Sequence, residues 1–169
     1  MKAQIQKLAN LHKKDTFSCG QPLLDNYISK QASQDVKRKL SVCYVLVDDE
    51  QTVKGYYTLS ANAIQKESLP EELSKKLPKS YEDLPVILLG RLAIDKSFQG
   101  KGFGEILLLD ALNECYKLSN QLGTIAVIVD AIDTKAQEFY EAYGFILLPS
   151  SGKMFLPMKT IEDLVSNEH

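Results

Sequence analysis

Residues 99–104 read Gln-Gly-Lys-Gly-Phe-Gly, and this glycine-rich segment separates a run typical of a strand from a run typical of a helix. Val86 to Ile94 is mostly apolar, whereas the apolar residues from Ile106 to Cys115 recur with helical spacing. At such a turn the first N–H groups of the helix lack partners within the helix, and the helix dipole favours an anion there. Glycines let an anion approach this backbone without a Cβ in the way. The segment therefore predicts a turn that holds a phosphate or pyrophosphate.

The glycine spacing excludes two nucleotide-binding loops. A P-loop needs Gly-Lys followed by Ser or Thr, but Lys101 is followed by Gly102. A Rossmann turn needs a third glycine at the position of Glu105. The spacing that remains is Gln-x-x-Gly-x-Gly, from Gln99 to Gly104, and a glycine-rich turn without a ligand is the alternative interpretation.

A second segment, residues 124–145, adds a strand and a short helix. Thr124 to Ala131 reads as a buried strand, the pair Thr134 and Gln137 predicts a capping box, and Gly144 predicts the end of the helix. The two segments together resemble the GNAT acetyltransferases, which combine a coenzyme A loop of this spacing with a later A-x-x-F-Y-x-x-x-G-F pattern. The residues that match this pattern are Ala136, Phe139, Tyr140, Gly144 and Phe145.

The remaining chain has the alternating order of an α/β fold. At 169 residues it is long enough for one sizeable core, and the resemblance implies a single GNAT domain over residues 1–169. The implied architecture is a mixed central sheet with splayed parallel strands, flanked by helices. The other predicted elements are a strand in 3–9, one or two helices in 22–40, a hairpin of 41–48 with 53–63, a surface loop over 65–85 with a short helix at 70–77, a hairpin of 145–148 with 153–158, and a final turn at 160–165.

The resemblance also implies how acetyl coenzyme A is bound. Its pyrophosphate is expected on the backbone of the glycine loop. Its acyl-pantetheine arm is expected between two parallel strands that end near Ile94 and Asp130. The expected donor-binding residues are Leu92, Ala93, Ile94, Gln99, Gly100, Lys101, Gly102, Phe103, Gly104 and Asp133, the last standing where many family members have Asn.

Tyr140 is the candidate general acid. A phenol with a pKa of about 10 stays protonated at neutral pH and can donate a proton to a departing thiolate. The alternative role of Tyr140 is packing, and Tyr143 is a second candidate. Glu105 and Asp95 lie near the site in sequence, but each can also be an ordinary surface charge. An α-amine needs little help from a base, because its pKa is about 7.7–8.0.

The charges are distributed unevenly along the chain. Residues 1–40 contain eight Lys or Arg and three Asp, a charge balance of +5. The net charge of the whole chain is −2, so residues 41–169 have a balance of −7. Such asymmetry can mark a surface that faces a polyanion, although a solvated helix face is the alternative. Lys37, Arg38 and Lys39 form one run and are the candidate acceptor-binding residues, together with Arg91.

Four further segments resemble one branch of the GNAT family, the toxins of bacterial toxin–antitoxin pairs that acetylate the α-amine of aminoacyl-tRNA. The resemblance implies aminoacyl-tRNA as the acceptor, a ribbon-helix-helix antitoxin as a partner, and a homodimer. Two other functions stay open, namely acetylation of a small amine or a protein amine, and a coenzyme A-binding module without activity. The segments are Phe17-Ser18-Cys19-Gly20, Leu24-Asp25-Asn26-Tyr27, Gly55-Tyr56-Tyr57-Thr58-Leu59-Ser60 and Leu89-Gly90-Arg91-Leu92-Ala93.

The cysteines, the histidines and the N-terminus bear on disulfides, metal sites and location. Cys19, Cys43 and Cys115 lie far apart, which favours reduced thiols over a disulfide framework or a zinc site. His12 and His169 have no companion with metal-ligand spacing, so no metal is expected. The N-terminus lacks an apolar signal region and no stretch approaches a membrane span, so a cytoplasmic location without a membrane contact is expected.

Overall fold

A computed structural model describes residues 3–166 of the chain. Its seven β-strands form one sheet in the order β1-β2-β3-β4-β5-β7-β6, which contains parallel and antiparallel pairs. This confirms the expected mixed sheet flanked by helices. The strands are β1 Gln4–Lys7, β2 Val42–Val47, β3 Val53–Gln65, β4 Asp83–Ile94, β5 Ala126–Val129, β6 Ile146–Leu147 and β7 Met154–Pro157.

Six α-helices accompany these strands within the described part of the chain, together with a π-helical turn at Tyr27–Gln31 and two 3₁₀ turns at Lys66–Ser68 and Lys96–Phe98. None of the helices within residues 3–166 has the length and apolar character required to span a membrane. The helices are α1 Pro22–Asn26, α2 Ala32–Lys37, α3 Glu71–Ser74, α4 Phe103–Ser119, α5 Thr134–Glu141 and α6 Met158–Ser166.

The chain forms two compact units, whose boundaries fall within β3, β4 and α4. Of the described residues, unit 1 contains 3–60 and 90–111, and unit 2 contains 61–89 and 112–166. That residues 1–169 act as a single domain therefore stays a prediction.

Unit 1 is built on antiparallel pairing and a buried aromatic cluster. β2 pairs with β1 and with β3, as the expected hairpin requires. The helical segment between β1 and β2 contains α1, the π-helical turn and α2, and its residue Ile28 is fully buried. The core that joins this segment to the strands contains Phe17, Tyr27, Ile28, Ala32, Cys43, Val45, Val47, Val53, Tyr56 and Ala93.

Unit 2 contains the parallel pair of strands. β4 pairs with β5 from Ile87–Val127 to Leu89–Val129, while β4 itself continues to Ile94. β5 is buried at every position, because it also pairs with β7 in antiparallel register. The core of this unit contains Ile64, Leu69, Leu84, Val86, Ala126, Ile128, Leu148 and Phe155.

The capping box predicted at Thr134 is wrong in its details. Thr134 is the first helical residue of α5, and the N-cap is Asp133, whose carboxylate accepts a hydrogen bond from the Ala136 N–H at 2.8 Å. Asp is as good an N-cap as Thr, and its carboxylate is also favoured at the positive end of the helix. Gly144, with φ +96°, follows the helix as expected.

Candidate active site

The glycine loop lies at the surface of unit 1, between the 3₁₀ turn at Lys96–Phe98 and α4. Gly100 and Gly102 adopt φ angles of +75° and +85°, a conformation that favours glycine. A Cβ built at either position would meet no atom within 4 Å. The glycines are therefore required by the path of the backbone and not by crowding from the protein.

This open backbone fits a pyrophosphate. The loop leads into the 17 residues of α4, and the Ile106 N–H donates to the Gly102 carbonyl at 3.3 Å where this helix begins. The N–H groups of the preceding residues lack partners in this helix. Because both glycines are exposed and face open space, an anion can approach these N–H groups closely.

Gln99 fastens the start of the loop to its own unit. Its side-chain Nε2 donates to the Ile94 carbonyl at 2.8 Å and to the Cys19 carbonyl at 2.9 Å. The two bonds connect the loop with the end of β4 and with the segment before α1. Gln99 therefore positions the loop with its side chain, while its own N–H donates to the Lys96 carbonyl at 3.4 Å.

Asp95 is a structural carboxylate and not a surface charge. It is 7% exposed and accepts hydrogen bonds from the Ser18 N–H at 2.8 Å, the Ser97 N–H at 3.0 Å and the Ser97 hydroxyl at 2.6 Å. Burial raises the pKa of Asp95, but these hydrogen bonds and the nearby Lys54 charge outweigh burial, so the pKa is lowered. The Asp-x-Ser sequence is a local turn signal that could have identified this role.

Phe98, at the end of the 3₁₀ turn, and Phe103, at the start of α4, form an aromatic pair beside the loop. Their ring centroids are 4.8 Å apart, and Phe98 is buried. Two lysine ammonium groups, those of Lys54 and Lys101, lie 5.8 and 6.0 Å from the Phe98 centroid. Lys101 also donates to the Ser97 carbonyl at 3.1 Å, so its charge is held beside the loop.

The end of β4 has two different faces. Ala93 is buried in the core of unit 1, whereas Leu92 and Ile94 are only half-buried. The Ile94 carbonyl already accepts the Gln99 side chain. The pairing of β4 with β5 ends at Leu89, five residues before the strand itself ends.

Tyr140 lies in α5 of unit 2, with a buried ring. It packs edge-to-face against Phe139 and Phe145, with centroid distances of 5.3 Å for both pairs. Burial raises the pKa of Tyr140 to about 12. Among the residues that the structure describes, none hydrogen-bonds its hydroxyl, and this oxygen is not among the fully enclosed ones. The ring is thus held by packing, and the protonated hydroxyl remains free to donate.

Two further acidic residues lie near the end of β5 in the same unit. Asp133 uses its carboxylate to cap α5, so its side chain has a structural partner. Asp130 forms an ion pair with Lys153, at 3.0 and 3.2 Å from the two carboxylate oxygens. The structure therefore places Tyr140 and Asp133 in unit 2, and the glycine loop and the end of β4 in unit 1.

The basic run lies at the end of α2 in unit 1. Lys37, Arg38 and Lys39 are all exposed at the surface. Lys39 adopts a φ of +62°, and the Leu40 N–H returns to the Asp35 carbonyl at 2.9 Å, so the chain reverses sharply here. Arg91 is half-buried, with its guanidinium 3.5 Å from the centre of the Tyr27 ring.

Burial shifts the pKa values of the three thiols and of His12. Burial is the main reason that the pKa values of Cys19 and Cys43 are raised to about 11 and about 12, and burial also raises the pKa of Cys115. A thiol that stays protonated is a poor acyl carrier. His12 is buried between the Ala9 N–H and the Gln6 side chain, and burial lowers its pKa. His169 lies outside the described residues.

The chain matches known proteins over most of its length. A family model described as an acetyltransferase (GNAT) domain matches residues 39–147. The chain belongs to the GNAT acetyltransferases. It is 33% identical over 153 residues to the tRNA-acetylating toxin of Mycobacterium tuberculosis, with 90% of each protein covered. This similarity confirms the expected resemblance to the toxin branch.

Two solved structures extend the similarity to the fold. AtaT complexed with acetyl-methionyl-tRNAfMet superposes with a TM-score of 0.89 at 32% identity, over 96% of this chain and 99% of that chain. A tyrosine-to-phenylalanine mutant of the toxin AtaT, bound to the C-terminus of the antitoxin AtaR and acetyl-CoA, superposes with a TM-score of 0.80 at 29% identity, over 96% and 97%. As a GNAT acetyltransferase, the chain uses acetyl coenzyme A as its acyl donor.

Proposed function

We propose that this chain acetylates the α-amine of aminoacyl-tRNA and is the toxin of a toxin–antitoxin pair. The observation that carries the proposal is the similarity, over nearly the whole of both chains, to AtaT solved with acetyl-methionyl-tRNAfMet. The basic run at residues 37–39, which lies at the surface, agrees with a polyanionic acceptor.

The donor side of the reaction is assigned to the glycine loop. The backbone of Gln99 to Gly104 would hold the pyrophosphate, with Lys101 adding positive charge at the edge of the loop. The segment from Leu92 to Ile94 would support the pantetheine arm. Asp133 would contact the donor only through groups that its capping bond leaves free. When bound, the thioester supplies the acetyl group and a thiolate leaving group.

Tyr140 would act as the general acid. The attack of an amine on a thioester releases a thiolate, which needs a proton donor. Burial raises the pKa of Tyr140 to about 12, so its hydroxyl is protonated throughout the neutral range. Its ring is packed on two sides by Phe139 and Phe145, which limits the directions in which the hydroxyl can point.

The acceptor side needs a polyanion contact but no strong base. An α-amine with a pKa of about 7.7–8.0 is partly neutral at pH 7–8 and can attack without a dedicated base. Lys37, Arg38 and Lys39 would contact the phosphate backbone of the tRNA, with Arg91 as a further acceptor contact. Asp95 is excluded as a base by its three hydrogen bonds and lowered pKa.

The proposal includes the partners of such a toxin. A similar toxin has been solved with the C-terminus of an antitoxin, which supports an antitoxin for this chain as well. We expect this antitoxin to be of the ribbon-helix-helix type and the toxin to be a homodimer. Light scattering of the toxin alone would test the homodimer. Light scattering with the co-expressed product of a neighbouring gene would test for a complex. Charged tRNA and acetyl coenzyme A are both cytoplasmic, so the proposed reaction takes place there.

Transfer of a labelled acetyl group is the test of the proposed function. The purified protein is incubated with labelled acetyl coenzyme A and with charged tRNA, uncharged tRNA, a polyamine or a lysine-containing peptide. We expect label only on charged tRNA, and we expect mild alkali, which cleaves the aminoacyl ester, to release it as an N-acetylated amino acid. Labelling of the polyamine or the peptide but not of charged tRNA would replace this function with that of an ordinary amine acetyltransferase.

A further inference from the structure

Arg91 and Tyr27 form a stacked pair in unit 1. The guanidinium carbon lies over the Tyr27 ring, 3.5 Å from its centre, which is van der Waals distance. The Tyr27 ring itself stacks on Tyr56, with centroids 6.2 Å apart and an interplanar angle of 17°. Both tyrosine rings are buried, whereas Arg91 is half-buried. The guanidinium therefore lies over the Tyr27 ring and is more exposed than either tyrosine.

The charge of Arg91 is not neutralised by a salt bridge. Within residues 3–166, no carboxylate lies within salt-bridge distance of the guanidinium, and none of the hydrogen bonds of the described residues involves its donors. Asp35 accepts the hydroxyl of Tyr27 at 2.8 Å and forms no salt bridge with Arg91. A partly exposed guanidinium without a carboxylate partner is available to bind an incoming anion.

Tyr27 is held in place by its own contacts. Its hydroxyl donates to Asp35 and lies 3.4 Å from the Ser41 hydroxyl. Burial raises the pKa of Tyr27, so the phenol stays protonated and keeps this bond at neutral pH. Tyr27 also begins the π-helical turn, in which the Ala32 N–H bonds to the Tyr27 carbonyl. Such turns interrupt α-helices at a cost and are frequent at functional sites.

We propose that Arg91 binds a phosphate of the acceptor RNA with its two-nitrogen fork, and that Tyr27 positions the guanidinium for this contact. The inference rests on the proposed function and specifies one anchor point on the acceptor. A guanidinium held over an aromatic ring loses much of its freedom of orientation, and its paired N–H donors match two oxygens of a phosphate. Residues 37–39, at the end of the same helical segment as Tyr27, would then contact the backbone of the same RNA.

Replacement of Arg91 tests this contact with two acceptors. The acceptors are charged tRNA and the methyl ester of the same amino acid, which has an equivalent α-amine but no phosphate. For Arg91→Gln we expect the KM for charged tRNA to rise about 10- to 100-fold, since the variant cannot form the charge-assisted bidentate bonds to phosphate. The KM for the methyl ester and the affinity for coenzyme A should not change. Lys75→Gln, which removes an exposed positive charge in unit 2, is the control and should change neither KM.

Two conservative variants separate charge from geometry. Arg91→Lys keeps the charge but not the fork, so the salt dependence of tRNA binding should persist while the KM for charged tRNA still rises. Tyr27→Phe keeps the stacking face and removes the bond to Asp35. It should raise this KM by a smaller factor and leave the methyl ester unaffected. A merely structural role would instead change the KM for both acceptors, and that result would overturn the inference.

The unaltered protein supplies a test that does not depend on folding of a variant. Phenylglyoxal modifies accessible arginines, and bound tRNA should protect Arg91 while free phosphate at the same concentration should not, as measured by mass spectrometry of peptides. Equal modification of Arg91 with and without tRNA would contradict the inference.

The outcomes distinguish this inference from the proposed function. If the unaltered protein acetylates charged tRNA but Arg91→Gln has a normal KM, only this inference fails. If charged tRNA is not acetylated at all, the proposed function fails, and the inference fails with it.

Discussion

Tyr140 shows how one side chain can be held by packing and still be chemically available. Its ring has aromatic neighbours at 5.3 Å on two sides, and its hydroxyl has no hydrogen bond to any of the described residues. A phenol that donated to a protein carboxylate would have to break this bond before each proton transfer. The absence of such a bond within residues 3–166 favours the role of proton donor over a purely structural one.

Tyr140→Phe tests this role with little change in volume. We expect turnover to fall about 100-fold or more, because the variant has no proton donor for the leaving thiolate. The affinity for coenzyme A and the melting temperature should be nearly unchanged. Tyr143→Phe removes a hydroxyl from the neighbouring tyrosine, whose ring packs on Phe139, and is the matched control. If Tyr143→Phe lowers turnover and Tyr140→Phe does not, the roles of the two residues are reversed.

At the scale of elements, the connection from β4 to α4 is a rigid support for an exposed backbone. Asp95 anchors the beginning of this connection to Ser18, and Gln99 ties the start of the loop to Ile94 and Cys19. Two glycines in left-handed conformations then lead into the helix. The support holds the loop from one side and leaves its other side open for a ligand.

Gly100→Ala and Gly152→Ala form a matched pair for testing the loop. Both glycines have nearly the same φ, +75° and +73°, and neither has an atom within 4 Å of an added Cβ. Each substitution should therefore cost a similar stability, about 1–2 kcal/mol. Only Gly100→Ala should weaken coenzyme A binding, by about 10-fold or more in calorimetry, since its methyl group displaces an anion held by the loop. Equal affinities for the two variants would contradict the assignment of the loop.

Asp95→Asn should destabilise the protein in a pH-dependent manner. The folded-state pKa of Asp95 is lowered, so its contribution to stability is present above its unfolded pKa of 3.8 and is lost as the pH falls below that value. We expect a cost of about 1–3 kcal/mol at pH 7 and a smaller one near pH 3, measured by urea unfolding. The control is Asp49→Asn, which changes an exposed turn residue. The same cost at both pH values would show that ionisation of Asp95 contributes nothing.

At the scale of the whole molecule, charge is separated along the chain. The first 40 residues carry a balance of +5, although the net charge of the chain is −2. The structure places the run at residues 37–39 on the surface, where its charges can reach a polyanion. A net-acidic protein can therefore still present a basic surface to RNA.

The charge separation can be tested with two triple variants that change the net charge equally. Replacement of Lys37, Arg38 and Lys39 by Gln should weaken tRNA binding and flatten its salt dependence by about one unit for each phosphate that is no longer bound. Replacement of Lys75, Lys76 and Lys79 by Gln removes three exposed charges from unit 2 and should leave the salt dependence unchanged. The same effect from both triple variants would mean that only the net charge matters, and not its location.

The sequence by itself determined the family, the order of the main elements and the position of the glycine-rich loop that we propose as the anion site. Glycine spacing and hydrophobic periodicity are local properties, so a strand, the Gln99–Gly104 turn and a helix can be predicted from neighbouring residues alone. The pattern around Tyr140 is likewise continuous in sequence, although its role as the acid stays a prediction.

Only the tertiary structure decided which polar side chains are supports and which are free. Asp95 is a buried anchor because Ser18, distant in sequence, donates to it, and Arg91 is stacked because Tyr27 lies beneath it. Asp133, and not Thr134, caps α5 because the backbone turns one residue earlier than the capping-box pattern predicts. Hydrogen bonds and stacking depend on distances between residues that are remote in sequence, and no local pattern contains those distances.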